Sequence, residues 1–340
     1  YIIVIMKKRV VIIGNSEKIN DHKLGHIIDG FDIVVRINEF EIESYEDRVG
    51  TKTDYVALGP HVLYRLEEFP NCRFLLFPPE VGKIEETYPE FDTQLLRVAL
   101  RINTKKYTAT TGLHVVNHFN TPEYDLYIHG MFDDGVSHYW NTEHEMTKRH
   151  DLDIDKEYIK NWGIRKLSDH YEGATLDTRN DFPALLNSLK LNENWVELGV
   201  AAGGYTSQLL KNQGGETVWS VDRWGDHHDM KEYLVALNRT KWYKNSQIIR
   251  ATFDEALDQF EDNFFDFIYI DGYAHTGQAA GKTLKDWYPK LKNGGIFAGH
   301  DYHNKWSPTI VAVDLFTIKQ SLKLNITCGD DMFPSWWVIK

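Results

Sequence analysis

Short apolar runs alternate with amphipathic stretches along the whole chain. In the first half, residues 9–13, 31–36, 55–58, 73–77 and 126–129 are mainly apolar, β-branched-rich runs of the kind that form buried strands. Residues 93–102 and 112–119 show helical spacing between them. The second half repeats the pattern, with runs at 195–198, 217–221, 246–250, 265–270 and 295–298. A further pair at 326–329 and 335–339 is suited to close a sheet as an antiparallel hairpin. This alternation predicts an α/β protein with mostly parallel, doubly wound sheets, and ligands at the C-terminal ends of the strands. The polar, irregular stretch 164–181 separates the halves. Two domains are expected, 1–163 and 164–340, the second with seven strands.

At 340 residues the chain is long enough for about two domains, each with its own core. The net charge of −12 argues against a nucleic-acid binder and against an anionic membrane surface. It leaves room for a nucleotide, which backbone N–H groups and helix N-termini can hold. Cys72 and Cys328 are too few for a disulfide framework or a cysteine-based zinc site, so a reducing, cytoplasmic setting is expected. The apolar start at residues 1–5 is too short to span a bilayer. The basic Lys7, Lys8 and Arg9 follow it, which is the wrong order for a signal peptide. No membrane span is expected, and the oligomeric state, monomer or homo-oligomer, stays open.

Polar residues collect where the apolar runs stop. Asn15 and Ser16 follow the first run, Asn38 the second, and Thr110, Thr111 and Gly112 open a helical stretch. A Thr-Thr-Gly helix start offers hydroxyls and free N–H groups to a phosphate; plain capping is the alternative. In the second half a strand ends in Glu197 and turns through Gly199, Ala201, Gly203 and Gly204 into a helix. Such a turn holds a nucleotide-type ligand in doubly wound sheets.

Taken together, several segments of the first half resemble family 29 sialyltransferases. Val11-Ile12-Ile13-Gly14-Asn15-Ser16, continuing through residues 29–38, looks like the family's large motif, and residues 50–54 look like its continuation. Residues 110–113 through 127–132 look like the small motif, and His138-Tyr139-Trp140 like the third. His150 with Asp155 resembles the short His-x4-Glu motif, with Asp in place of Glu. The resemblance implies a CMP-sugar glycosyltransferase acting on a glycan or small-molecule sugar acceptor. By carry-over, Asn15, Ser16 and Asn38 would touch the nucleotide, and Thr110, Thr111 and Gly112 the ribose or phosphate. His138 would face the donor phosphate, and His150 would be the general base, a task that suits an imidazole near neutrality.

Over residues 181–340 the chain resembles class I S-adenosylmethionine-dependent methyltransferases, which implies two Rossmann-like domains in all. Glu197, Gly199, Ala201 and Gly203 match their first motif. Asp222 stands where an acid takes the ribose hydroxyls, and Asp271 ends the fourth strand. Leu291-Lys292-Asn293-Gly294-Gly295 precedes the fifth, as in that superfamily. Ile270-Asp271-Gly272 with His275, followed by Gly299-His300-Asp301, looks like small-molecule and sugar O-methyltransferases. The resemblance implies Mg²⁺ at Asp271 and Asp301 and His275 as base, with a metal-free site as the alternative. Trp224 and Trp306 are the candidates for stacking on a sugar ring, core packing being the other reading.

Overall fold

The computed structural model describes residues 7–78, 80–96, 109–133, 137–140, 152–173, 176–212, 215–225, 228–329 and 332–340. The chain forms two compact units, Tyr1–Tyr171 and Glu172–Lys340.

In the first unit the apolar runs become β1 (Lys8–Ile13), β2 (Ile33–Ile37), β3 (Tyr55–Leu58), β4 (Arg73–Leu76), β5 (Thr93–Leu95), β6 (Tyr124–His129) and β7 (Arg165–Lys166). They lie in the order β5-β4-β3-β2-β1-β6-β7, and every pairing is parallel. Parallel strands covered on both faces need apolar side chains at successive positions. Val10, Val11, Ile12 and Ile13 of β1 are accordingly all buried. The boundary falls after Tyr171 rather than after residue 163 because β7 pairs with β6 and draws the following residues into this sheet.

One expectation is corrected here. Thr93–Leu95 form a strand, not the start of a helix, since they pair with the open edge of β4. Strand pairing at a sheet edge outweighs a weak helical period. Residues 97–102 lie outside the described residues.

The second unit contains β8 (Asn194–Leu198), β9 (Thr217–Asp222), β10 (Ser246–Arg250), β11 (Phe265–Ile270), β12 (Leu291–Gly299), β13 (Asn325–Ile326) and β14 (Trp336–Ile339). Their order is β10-β9-β8-β11-β12-β14-β13, with β14 antiparallel to both neighbours. The strand order switches between the parallel neighbours β8 and β11, so these two strands present adjacent C-terminal ends. Leu291 to Gly295 are already part of β12, whose register against β11 shifts between Phe265 and Phe267. Gly294 takes a φ of +80° there, a conformation glycine adopts readily.

Among the described residues no helix is long and apolar enough to cross a membrane. Cys72 and Cys328 are both free thiols.

Candidate active sites of the two units

In the second unit a cleft of about 560 Å³ opens at the strand ends, a size suited to a cofactor-sized molecule. Glu197, Gly199, Ala201, Asp222, Asp271, His275 and Asp301 all line it. Gly203 does not line the cleft. It takes φ +73° and caps helix Gly204–Lys211, where an added Cβ would lie 3.0 Å from Cα of Ala236.

The turn after β8 is dictated by close backbone approach. Gly199 has φ +96°, and a Cβ there would sit 2.1 Å from the carbonyl oxygen of Asp271. Only glycine lets the chain pass this near the end of β11. Asp222 then fastens the loop. Its Oδ2 accepts the N–H groups of Val200 and Ala201 at 2.8 and 2.9 Å, and its Oδ1 accepts that of Trp224 at 3.0 Å. A carboxylate has about four acceptor positions, so Asp222 holds the loop and retains capacity for a ligand hydroxyl.

Glu197 is 1 % exposed, and the Thr206 hydroxyl hydrogen-bonds to its Oε2. Burial lifts its carboxyl from 4.5 to about 8, against the pull of Thr206, with the Asp271 carboxylate adding to the rise. Asp271 is itself pushed above the ordinary carboxylate range by burial, opposed by His300 and Arg179.

Beside it, Asp271, His300 and Asp301 bring donor atoms within 4.8 Å of one another. His300 Nδ1 stands 3.1 Å from Asp301 Oδ1 and 3.6 Å from Asp271 Oδ1. This set of two carboxylates and an imidazole suits a divalent cation, with His300 adding to the two acids read from the sequence. Tyr302 takes no part: it is buried, and its hydroxyl donates to Asp314 Oδ1 at 2.6 Å.

His275 is exposed where it lines the cleft, on the short turn Ala274–Thr276. The strained residues Gln278, Ala279 and Ala280, all with positive φ, follow it.

Sequence reading missed Arg179. Its Nη1 donates to Asp271 Oδ2 at 2.8 Å, and its guanidinium lies 4.8 Å from the centre of the Tyr205 ring. It sits in an irregular stretch before the sheet begins, and nothing in its neighbours' pattern marks it. Trp224 is core, 1 % exposed, with its indole N–H donated to the Ala201 carbonyl at 2.7 Å. It is therefore not a stacking platform. Trp306 is partly buried near Phe333 and does not line the cleft.

In the first unit the turn after β1 carries Asn15 and Ser16. Asn15 donates from Nδ2 to the Ile37 carbonyl at 3.1 Å, bridging to the end of β2, while its buried Oδ1 has no partner. That orphan acceptor is an observation in favour of a ligand here. Ser16 caps Glu17–Asp21, donates to Asp133 Oδ1 at 2.5 Å and forms an isolated bridge with His138. The His138 ring lies 4.5 Å from that of Trp140.

Asn38 follows β2 with φ +52°, and its Oδ1 accepts the Gly59 N–H at 2.8 Å. Thr110 caps helix Thr111–Phe119 through the Leu113 N–H and donates to Asp155 Oδ2 at 2.6 Å. Thr111 and Gly112 form the first turn of that helix. Cβ atoms added at Gly14 and Gly112 would both strike Met131, so this side chain joins the β1 turn to the helix start. Asp155 is fully buried; His150 lies outside the described residues.

A second residue of the first unit has a role the motif does not reveal. Arg36 is fully buried and donates to Thr53 Oγ1 and to the carbonyls of Val49, Gly50 and Lys52. It holds the 49–53 loop. Burial lowers its pKa to about 10, and it stays charged at neutral pH.

With this geometry in view, the similarities to known proteins fall in the same two places. Residues 196–302 match the family model for a methyltransferase domain, and residues 6–80 match glycosyltransferase family 29 (sialyltransferase). One segment of the chain thus resembles a methyltransferase domain and another the family 29 glycosyltransferases, each over less than half of its length.

Lactosylceramide alpha-2,3-sialyltransferase of Rattus norvegicus is 46% identical over 46 residues, 14% of this chain and 12% of that protein. The chain therefore spans only a small part of this curated relative. A mammalian sialyltransferase solved in complex with Gal-beta-1-3GalNAc-ortho-nitrophenol matches with a TM-score of 0.36 at 20% identity, covering 49% of this chain and 70% of that one. An O-methyltransferase from Bacillus cereus in complex with SAH matches with a TM-score of 0.36 at 18% identity, covering 48% of this chain and 80% of that one.

Proposed function

We propose that the protein is a bifunctional transferase. The second unit binds S-adenosylmethionine in the cleft at Glu197–Gly204 and methylates a hydroxyl of a sugar or glycan. The first transfers a CMP-activated, sialic-acid-like sugar to such an acceptor.

The observation that carries the methyltransferase reading is the cleft itself. Gly199, the Asp222-fastened loop and Asp271 meet there around a cofactor-sized space. Bound S-adenosylmethionine would supply an electrophilic methyl group. His275 would take the proton of the acceptor hydroxyl as its oxygen accepts the methyl group, the C–S electron pair staying on sulfur. A cation on Asp271 and Asp301 would fix and acidify that hydroxyl.

For the first unit, support comes from the unpartnered Asn15 Oδ1 beside the β1 turn, together with the family match over residues 6–80. Asn15, Ser16 and Asn38 would receive the nucleotide, Thr110, Thr111 and Gly112 the ribose or phosphate, and His138 the departing phosphate. His150 would accept the proton of the acceptor hydroxyl. A second reading keeps only the methyltransferase active, with the first unit a nucleotide-sugar or glycan binding module. The engagement of Asp155 by Thr110 favours it, since the acid following His150 is then committed to holding the capping hydroxyl of Thr110.

Calorimetric titration of the intact protein with S-adenosylhomocysteine and then with CMP tests both parts. Two independent saturable sites are expected. Absence of the first rejects the methyltransferase reading, and absence of the second rejects the CMP-sugar reading. CMP release lost in His150→Ala separates transfer from mere binding.

A further inference from the structure

We propose that the cleft of the second unit takes its divalent cation through the imidazole of His300 as well as the two carboxylates. The ion it favours over Mg²⁺ is then a divalent transition metal that accepts an imidazole ligand, with Mn²⁺ as its paramagnetic probe. This rests on the methyltransferase reading of the cleft only for its purpose, not for its geometry.

The donors are already spaced for an ion. Neighbouring ligands of an octahedral centre with bonds of about 2.1 Å stand about 3 Å apart. His300 Nδ1 is 3.1 Å from Asp301 Oδ1 and 3.6 Å from Asp271 Oδ1, close to such edges. Two of the three residues are also held by bonds from outside the cluster. Arg179 grips Asp271 Oδ2 at 2.8 Å, which leaves Oδ1 turned to His300. The His300 N–H continues the β11 ladder to the Ile270 carbonyl at 2.9 Å. Asp301 adopts φ +64°, a conformation unfavourable for a side-chain-bearing residue. Here it accompanies a carboxylate folded back on its own neighbour, and strain of this kind gathers at functional positions.

The choice of ion follows from the nitrogen. Magnesium prefers oxygen donors and near-ideal octahedra, whereas imidazole suits the later divalent ions. Asp271 and Asp301 both line the cleft, so an ion held there would meet adjacent hydroxyls of a sugar bound in it.

The test is Mn²⁺ titration of the full-length protein followed by electron paramagnetic resonance, with pulsed detection of ¹⁴N coupling. Wild type should bind one Mn²⁺ showing directly bound nitrogen, and Mg²⁺ should displace it only at about hundredfold excess or more. His300→Ala should lose the ¹⁴N signal and weaken Mn²⁺ binding at least tenfold. His300→Asp should restore binding while narrowing the Mn²⁺ to Mg²⁺ preference. Wild-type Mn²⁺ without ¹⁴N coupling, no Mn²⁺ binding, or unchanged binding in His300→Ala each overturns the proposal. S-adenosylhomocysteine titration of the same samples reads the methyltransferase assignment separately, so the two failures are distinguishable.

Discussion

Glu197 makes the stability of the second unit depend on pH in a direction opposite to that of ordinary paired carboxylates. Its native pKa is about 8 because burial disfavours the charge, whereas in the unfolded chain it returns to 4.5. Below 4.5 both states are protonated and the group has no effect. Between 4.5 and about 8 the unfolded chain has lost the proton that the native protein keeps. The native state thus binds more protons, and stability falls as pH rises. The slope is about 1.4 kcal/mol per pH unit, so the whole window amounts to roughly 5 kcal/mol.

Glu197→Gln keeps the shape and the contact with Thr206 but removes the titration. Eight of the ten tryptophans lie beyond residue 172, so tryptophan fluorescence follows mainly the second unit. Urea unfolding curves collected from pH 5 to 8.5 should show wild type losing stability relative to Glu197→Gln by about 1 kcal/mol or more per pH unit. Parallel stability profiles for the two proteins would refute the reasoning.

Other consequences follow from the same geometry. Gly199→Ala forces a Cβ against the Asp271 carbonyl at positive φ and should cost roughly 2–3 kcal/mol while abolishing S-adenosylhomocysteine binding, read by thermal melting and calorimetry. Asp222→Asn places an amide toward the N–H groups of Val200, Ala201 or Trp224. It should weaken that binding about tenfold to a hundredfold in the same titration. Arg36→Met strands three backbone carbonyls in the first unit and should destabilise it by about 3 kcal/mol or more. Hydrogen exchange of residues 49–53 should then accelerate while the second unit is unaffected.

The strand runs were legible because parallel strands buried on both faces demand consecutive apolar residues, as in Val10–Ile13 and Phe267–Ile270. Gly199 was legible for a related reason: a single position with no tolerance for a side chain marks itself in sequence. Thr93–Leu95 was misjudged because three half-exposed residues carry almost no periodic signal, and the open edge of β4 decided their state.

By itself, then, the sequence determined two α/β halves and the strand ends at which polar residues gather. Those are properties of nearest neighbours and period. Tertiary structure alone decided that Arg36 is a buried clamp, that Trp224 is core, and that Arg179 and His300 join Asp271 and Asp301. Each of these depends on residues from separate elements arriving at one place. Arg179 and Asp271 are 92 positions apart, a separation no local pattern spans. A long-range encounter leaves no mark on the composition of either partner, so the charge pairing at the cleft had to be read from the fold.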